Sequence, residues 1–501
     1  MGRLLVAILA LVALLVGCTA VPTRSAEPRS TSPVAATRRL EPAAHAPAHP
    51  PDRLATEHGS AWRIARADAH GIAGFANRVS VLPGQPVVLY VSTDAPLFQV
   101  HAFRMGWYRG DLGRLVWTSG YYPGRRQPGP ALVAPATGTV AARWQPSLTV
   151  DTTGWLPGDY LLRLDGTGGR SGFVPLTVRA ASAAGRVVLI NAVTTWQAYN
   201  TWGCCDLYAG ADGTFDTRSR AVSFDRPYAQ EDGAGQFVED ELPVVAEAER
   251  LGLRLDYVTD IDLATVPNLL AGARAVVSLG HDEYWSPAMR AAVAAARDAG
   301  TNLASLGANA IFRRIRLAAT PLGPDRLEIN YKVPTEDPLY GRDDAAVTAN
   351  WPAPPAPDPE SRLLGDQYGC LLLGDERAPG VIVDPHSWLF HGVHVTAGQR
   401  LPGLIGPEID AVQPGYPTPH RIEVLLHSPV QCPTGAPAYA DTSYYVAPSG
   451  AGVFDAGTIR WACAVYGDCD GRVAPVTGLV VRTVTDNLLR AFAAGPAAQS
   501  S

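Results

Sequence analysis

The sequence lacks any run or stripe of lysine and arginine, and its formal net charge is −6. Proteins that bind nucleic acid normally present clustered basic side chains to the phosphates, so we expect no nucleic-acid partner. Only 18% of the 501 residues are charged, while 47% are hydrophobic. A chain of this length and composition can form two or three domains with full cores.

Several short functional motifs are also missing. The sequence has no glycine-rich phosphate loop, no GxSxG nucleophile elbow and no HExxH metal motif, each of which places defined groups around a substrate or ion. No two cysteines have the CxxC spacing, so a thiolate zinc site is not expected. These absences argue against the most easily recognised nucleotide-binding, serine-hydrolase and zinc-protease classes.

Long apolar runs are absent except at the N-terminus, which reads "MGRLLVAILALVALLVGC". The apolar part is short for a membrane span and has the length of a signal-peptide core. "LVGC" resembles a bacterial lipobox, in which the cysteine is lipidated and becomes the first residue of the mature protein. We therefore predict a signal peptide over residues 1–18, a lipid anchor at Cys18 and an extracytoplasmic lipoprotein on the cell membrane. The alternative is a plain secretory signal cleaved a few residues later.

Export would make disulfides the default state of the remaining cysteines. Cys463 and Cys469 bracket a segment that can turn back, and we predict that they pair. A second predicted bond joins Cys370 and Cys432. The adjacent Cys204 and Cys205 have two open possibilities, which are a bond to each other or bonds to different partners.

Composition divides the rest of the chain into three parts. Residues 19–58 are rich in proline and alanine, carry few large apolar side chains and are predicted to form a disordered tether. Residues 59–181 contain short runs of β-branched and aromatic residues separated by turn formers. This pattern predicts an antiparallel, immunoglobulin-like β-sandwich. In residues 186–497, strand and helix patterns alternate at first, which predicts an α/β domain with a parallel sheet.

Polar residues follow three predicted strands of the α/β domain, in residues 191–210, 280–285 and 306–316. Between the strands we predict helices at "ELPVVAEAERLG", "VPNLLAGA" and "SPAMRAAVAAARDAG", with "LRLDYVTDIDL" as a further strand. Ligands of parallel sheets bind beyond the carboxyl ends of the strands. The three polar segments are therefore expected to meet at one edge.

The segment "GHDEYW" contains His281 and Glu283, which point to the same side of an extended backbone. An imidazole and a carboxylate so placed could bind one metal ion, or act as a base with its orienting partner. The alternative is a polar turn in which Asp282 or Ser286 caps the following helix. Tyrosines in turn-rich segments (Tyr199, Tyr208 and Tyr228) could bind ferric iron as phenolates or be half-buried aromatic residues.

Several motifs in one order carry a resemblance to a known family: "TTWQAYNTWG", "VSFDRPY", "LGHDEYWS", "GANAIFRRIR" and "LPGLIGPEID". Together they resemble the C-terminal domain of the large (beta) subunit of N,N-dimethylformamidase. "SVLPGQPVVLYVST" and "FRMGWYRGDLGRLV" resemble the β-domain that often precedes it. The resemblance implies a Rossmann-like domain, similar to the glutamine-amidotransferase-like class.

The resemblance also implies a mononuclear iron (Fe³⁺) held by two tyrosines and a glutamate. Glu283 and Tyr199 would be ligands, and Tyr228 is preferred over Tyr208 as the second tyrosine. His281 would transfer protons, and Asn309 could hydrogen-bond substrate or a ligand. Zinc is the alternative metal.

Two functions from different classes follow. The first is an exported, membrane-anchored, metal-dependent hydrolase, amidohydrolase-like, acting on a C–N bond of a small-molecule or envelope-derived substrate. The second is a surface-anchored binding protein with a degenerate, metal-free site. In that protein the β-sandwich would offer aromatic residues such as Trp107 and Tyr108 for recognition. The sequence does not define the oligomeric state.

Overall fold

A computed structural model describes residues 59–65, 71–372, 377–466 and 471–497. The predicted signal peptide, the tether, Cys18 and Cys469 lie outside these residues. The chain is mostly β-sheet, with several sheets and few helices. Within the described ranges, no helix combines the length and apolar character that a membrane crossing requires.

The first part of the chain forms the predicted β-sandwich. One sheet has the order β1–β3–β9, and the other has the order β2–β11–β10–β4–β5 with β6 beside β4. The two sheets enclose apolar side chains such as Leu89, Val100 and Leu162, all fully buried. The strands are β1 (Ile72–Ala76), β2 (Ser80–Val81), β3 (Val87–Thr93), β4 (Leu97–Met105), β5 (Gly113–Thr118), β6 (Tyr122–Pro123), β7 (Ala131–Ala134), β8 (Thr139–Ala141), β9 (Leu148–Val150), β10 (Gly158–Gly166) and β11 (Arg170–Val178).

The second part contains alternating strands and helices, as the sequence predicts. Its buried strands consist largely of valine, isoleucine and leucine, as expected for strands covered on both faces. The elements are β12 (Val187–Asn191), α1 (Val193–Ala198), β13 (Ala221–Ser223), α2 (Phe237–Asp240), α3 (Leu242–Arg250), β14 (Leu255–Thr259), α4 (Asp260–Thr265), β15 (Ala275–Gly280), β16 (Tyr284–Trp285), α5 (Pro287–Asp298), β17 (Asn302–Gly307) and β18 (Arg313–Arg314).

The last part adds further strands and closes with a long helix. These elements are β19 (Arg316–Thr320), β20 (Gly323–Ile329), β21 (Gln367–Leu371), β22 (Ala378–Val381), β23 (Arg400–Ile405), β24 (Glu408–Ala411), β25 (Glu423–Gln431), β26 (Pro437–Val446), β27 (Gly452–Asp455), α6 (Trp461–Ala464) and α7 (Pro475–Ala494). The central sheet has the order β14–β12–β15–β17–β27–β26–β25. The pairings from β14 to β27 are parallel, and those of β26 with its two neighbours are antiparallel.

Two predicted elements differ from the structure. The segment "LRLDYVTDIDL" is not one strand, because β14 ends at Thr259, whose side chain and backbone exchange hydrogen bonds with Asp262 and so start α4. "VPNLLAGA" forms turns rather than a helix. Asn268 there has φ +55°, a left-handed conformation that interrupts a helix.

The ends of β12, β15 and β17 lie side by side, as the sequence predicts, because these strands are parallel neighbours. Gly280 and Gly307 are paired at this edge. A Cβ on Gly307 would lie 1.5 Å from the carbonyl oxygen of Gly280, which itself has φ +57°. Only glycines allow the chain to turn and pass this closely.

The sandwich and the central sheet share one apolar core. Phe103, Met105 and Phe173 of the sandwich belong to the same buried cluster as β12, β15 and β17. A polar network reinforces the contact. Arg104 lies 2.7 Å from Glu249, and Glu249 also accepts hydrogen bonds from the Trp107 amide and the Tyr257 hydroxyl. The sandwich is therefore held firmly against the second part of the chain.

Two disulfide bonds are present among the described residues. Cys370 and Cys432 are joined, which confirms that predicted pair. Cys204 and Cys205 are bonded to each other, which decides between the two possibilities left open by the sequence. Cys463 is also disulfide-bonded. Its predicted partner, Cys469, lies outside the described residues, so this pair stays a prediction.

Candidate active site

Three oxygen-bearing side chains meet beyond the carboxyl ends of the parallel strands. The Tyr199 hydroxyl donates to Oε2 of Glu283 at 2.8 Å. The Tyr208 hydroxyl lies 2.6 Å from the Tyr199 hydroxyl and 3.0 Å from the same carboxylate oxygen. We call Tyr199, Tyr208 and Glu283 the oxygen cluster.

Local backbone contacts bring these residues together. Tyr199 ends α1, the short helix that follows β12 directly. The Thr195 hydroxyl of α1 accepts a hydrogen bond from the Glu283 amide at 2.9 Å. On the other side, the Glu283 carbonyl accepts from the Arg313 amide, next to the pairing of β16 with β18. The backbone of Glu283 is thus fixed from two sides, by α1 and by the first residue of β18.

Tyr228, the preferred second tyrosine, lies elsewhere. Its ring packs edge-on against Trp196 with centroids 5.9 Å apart. Among the described residues its buried hydroxyl has no hydrogen-bond partner, and burial raises its pKa. Its neighbour Arg226 donates to backbone carbonyls, including that of Cys205 at 2.9 Å. The structure therefore brings Tyr208, the alternative second tyrosine, to Glu283 and leaves Tyr228 outside the oxygen cluster. Which tyrosine binds a metal stays a prediction.

His281 and Asn309 lie beside the oxygen cluster. The His281 Nε2 is 3.5 Å from Oε2 of Glu283 and 3.3 Å from Oε2 of Glu408. The Asn309 amide donates to Glu408 and lies 3.4 Å from His281. Burial acts to lower the pKa of His281, but the two carboxylates outweigh it and raise the pKa well above its usual value. The imidazole can therefore hold a proton at neutral pH.

Two cationic side chains complete the surroundings. Arg313 Nε lies 3.0 Å from Oε1 of Glu283. The Lys332 Nζ lies 3.5 Å from the centroid of the Tyr208 ring and donates to the Tyr284 hydroxyl. The Tyr284 hydroxyl in turn donates to Tyr208 at 2.6 Å. Burial, together with the charge of Arg313, lowers the pKa of Lys332 well below its usual value.

The charges of these neighbours set the state of the oxygen cluster. Although burial acts to raise the pKa of Glu283, the bond from His281 and the charge of Arg313 hold it well below its usual range. Burial and the Glu283 charge raise the pKa of both Tyr199 and Tyr208 well above 10. Glu283 is thus a carboxylate, and the two tyrosines are neutral phenols unless a cation replaces their protons.

The donor set of the oxygen cluster fits a hard metal ion. Its oxygens lie within 2.6–3.0 Å of one another along the hydrogen bonds given above, a spacing that ligands of one ion can have. Tyrosine oxygens are established ligands of ferric iron. At this site and elsewhere, the residues that the structure describes contain no group of three or more histidines, cysteines, aspartates or glutamates able to hold a metal. A metal site in these ranges would depend on the tyrosines.

Sequence reasoning missed part of this site. The hydroxyl of Tyr284 links Tyr208 to Lys332, a contact that no sequence motif indicates. Sequence reasoning assigned no role to Lys332, Glu408 or Arg313. Arg313 and Glu408 do lie within motifs that carry the resemblance, "GANAIFRRIR" and "LPGLIGPEID". Asp282 does not cap α5; it accepts hydrogen bonds from Ser278 and Trp285, while Ser286 provides the cap.

Comparisons with known proteins identify one family. The family model described as "N,N-dimethylformamidase beta subunit-like, C-terminal" matches residues 99–471, about three quarters of the chain. Comparison with curated proteins found no match. Among solved structures, a cycloisomaltooligosaccharide glucanotransferase from Paenibacillus sp., complexed with cycloisomaltoheptaose, is 14% identical. The match covers 25% of the present chain and 16% of the glucanotransferase chain, with a TM-score of 0.15. A similarity this low indicates neither a shared fold nor a shared function.

Proposed function

The chain belongs to the N,N-dimethylformamidase beta subunit-like family, and on that premise we propose that it is a metal-dependent hydrolase of amide-type C–N bonds. The observation that carries the proposal is the meeting of two phenols and one carboxylate at the ligand edge of a parallel sheet. The order of the parallel strands in the central sheet also supports assigning the domain of residues 186–497 to the Rossmann-like, glutamine-amidotransferase-like class.

Tyr199, Tyr208 and Glu283 would hold the ion in this proposal. Ferric iron is favoured over zinc, because zinc in proteins is bound mainly by cysteine, histidine and carboxylates. A bound ferric ion would supply Lewis-acid polarisation of the amide carbonyl and a more acidic water. The remaining chemistry belongs to the side chains around the cluster.

In this proposal His281 would transfer a proton to the leaving amine. It lies between two carboxylates, Glu283 and Glu408, that favour its protonated form. Asn309 fixes Glu408 and presents an amide next to the imidazole, where it can orient a substrate carbonyl or amine. Such positioning of an acid and a polar orienting group is typical of acid–base catalysis.

The proposal includes export and a lipid anchor at Cys18, which the lipobox-like "LVGC" supports. The substrate would then be a small molecule or an envelope-derived compound with an amide bond. A non-catalytic binding protein is a second candidate, favoured by one observation. Tyr199, Tyr208 and Glu283 are linked to one another by hydrogen bonds, an arrangement that a binding protein could also use.

Two tyrosine variants test the proposal with a matched control. The purified full chain is analysed for iron and zinc, and amine release is measured from a panel of N-alkylated formamides and acetamides. Tyr208→Phe should lose the metal and the activity, because it removes one oxygen of the cluster. Tyr228→Phe should retain both, because its hydroxyl touches none of the cluster. Metal-free wild-type protein after exposure to ferric iron and to zinc would exclude the metallohydrolase and favour the binding protein.

A further inference from the structure

The bonded pair of adjacent cysteines lies inside the connection between the two tyrosines of the oxygen cluster. We propose that the Cys204–Cys205 disulfide is a redox site whose reduction by a dithiol displaces Tyr208 and weakens cation binding. That a cation binds at the oxygen cluster rests on the proposed function. The effect of the disulfide on the loop rests on the contacts described below. We call residues 200–208 the tyrosine loop.

One clamp holds the first half of the tyrosine loop. Arg226, almost completely buried, donates to the carbonyl oxygens of Asn200, Trp202 and Cys205 at 2.9, 3.2 and 2.9 Å. Three backbone acceptors on one guanidinium fix the path of the chain around the disulfide. The position of the Cys205 carbonyl is therefore essential to the clamp.

The second half of the tyrosine loop connects Cys205 rigidly to Tyr208. Asp206 accepts hydrogen bonds from the amides of Tyr208 and Ala209, both at 2.7 Å. Leu207 is fully buried, and its amide donates to the Ala198 carbonyl at 3.0 Å. Only two residues separate Cys205 from Tyr208, and both are held, so a shift at Cys205 reaches the tyrosine directly.

Reduction of the disulfide bond would release Cys204 from its present backbone conformation. Cys204 is exposed to solvent, whereas Cys205 is buried. Its φ is +125°, a conformation that residues with a side chain rarely adopt and that surrounding constraints must maintain. Without the bond, Cys204 can return to negative φ. A change of φ at Cys204 redirects the chain that follows it, and the Cys205 carbonyl then moves away from Arg226.

The chemistry is a balanced thiol–disulfide exchange. A thiolate of the dithiol attacks the sulfur of Cys204, the exposed residue of the pair, forms a mixed disulfide and releases the Cys205 thiolate. The second thiol of the reductant then attacks the mixed disulfide and frees Cys204. Two electrons and two protons pass from the dithiol, which leaves as a cyclic disulfide, to the two cysteines.

Two readouts on the full chain test the inference, with dithiothreitol as the reductant. It is removed before ferric iron is added, because a dithiol itself reduces ferric iron. Hydrogen–deuterium exchange of residues 200–209 should become at least about tenfold faster on reduction, because local opening becomes easier. Ferric binding should weaken about 10–100-fold, the range found when groups that orient a ligand are lost. The variant Cys204→Ser/Cys205→Ser should show both properties before reduction and no further change after it.

A second variant separates this bond from the other disulfide described. Cys370→Ser/Cys432→Ser should respond to dithiothreitol as the wild type does. Unchanged exchange in residues 200–209 of the reduced wild type would overturn the inference, as would equal ferric affinity before and after reduction. If neither form binds ferric iron, the proposed function fails, and the exchange experiment alone decides whether the disulfide controls the loop.

Discussion

Replacing Glu283 with glutamine tests the electrostatics of the candidate site most directly. The substitution keeps the shape of the side chain and removes the charge that lies 3.0 Å from Arg313 and 3.5 Å from His281. Both partners are buried, with 6% and 7% of their surfaces exposed. Removing one member of a buried ion pair costs about 3–5 kcal/mol, because the other charge is left without compensation.

The two tyrosine bonds add to this cost. Hydrogen bonds to a charged acceptor contribute about 1.5–3 kcal/mol, against about 1 kcal/mol for a neutral one. The glutamine oxygen can still accept from Arg313, which offsets part of the loss. We therefore expect the free energy of unfolding of the metal-free protein to fall by about 3–5 kcal/mol.

The first assay is equilibrium denaturation of metal-free protein, monitored by tryptophan fluorescence. The second is elemental analysis of protein that has been exposed to ferric iron. Asp216→Asn is the matched control, since it removes a carboxylate from an exposed position. Its effect should stay within about 0.5 kcal/mol. A loss below about 1 kcal/mol for Glu283→Gln, with unchanged metal content, would refute the argument that an ionised, ion-binding carboxylate holds this site together.

Three further predictions concern the fold. Burial raises the pKa of Asp159 to about 7, above its unfolded value of about 3.9. The stability that the protonated side chain contributes is therefore lost as the pH rises from about 4 to about 7. Asp159→Asn should flatten the decline in unfolding free energy that is measured over this pH range. Glu249→Ala should cost about 3–5 kcal/mol in denaturation experiments, because Arg104 is left buried without its partner; an unchanged midpoint would contradict this. Cys370→Ser/Cys432→Ser should lower the unfolding free energy by about 2–4 kcal/mol, since the bond closes a loop of 62 residues, and a change within error would show that the loop is constrained otherwise.

The ligand edge of the central sheet could be predicted from the sequence because it depends on local patterns. Apolar runs mark β12, β15 and β17, and polar residues follow each of them. Parallel order then requires their ends to meet. The same logic placed Tyr199, His281 and Glu283 near one another, since each follows one of these strands within a few residues.

The second tyrosine could not be chosen from the sequence. Tyr208 and Tyr228 both occur in turn-rich segments, where no periodicity reveals the direction of a side chain. The choice depends on a loop path fixed by Arg226 and the adjacent disulfide, and on the packing of Tyr228 against Trp196. These contacts join residues that are far apart in the chain.

Lys332 and Glu408 were missed for a related reason. Both belong to the last part of the chain, where several small sheets form and their strand order does not follow the sequence. Lys332 follows β20 and has φ +59°, and Glu408 begins β24. Their approach to Tyr208 and His281 is determined by sheets whose register no local signal in the sequence specifies.

The match to the family begins at residue 99, inside β4 rather than between domains. β4 pairs with β10 and β5 in the sandwich, while its Phe103 and Met105 belong to the core shared with the central sheet. Recombination at this boundary would cut a strand in two and expose part of that core. An exchange of segments between relatives must therefore move the sandwich and the central sheet together.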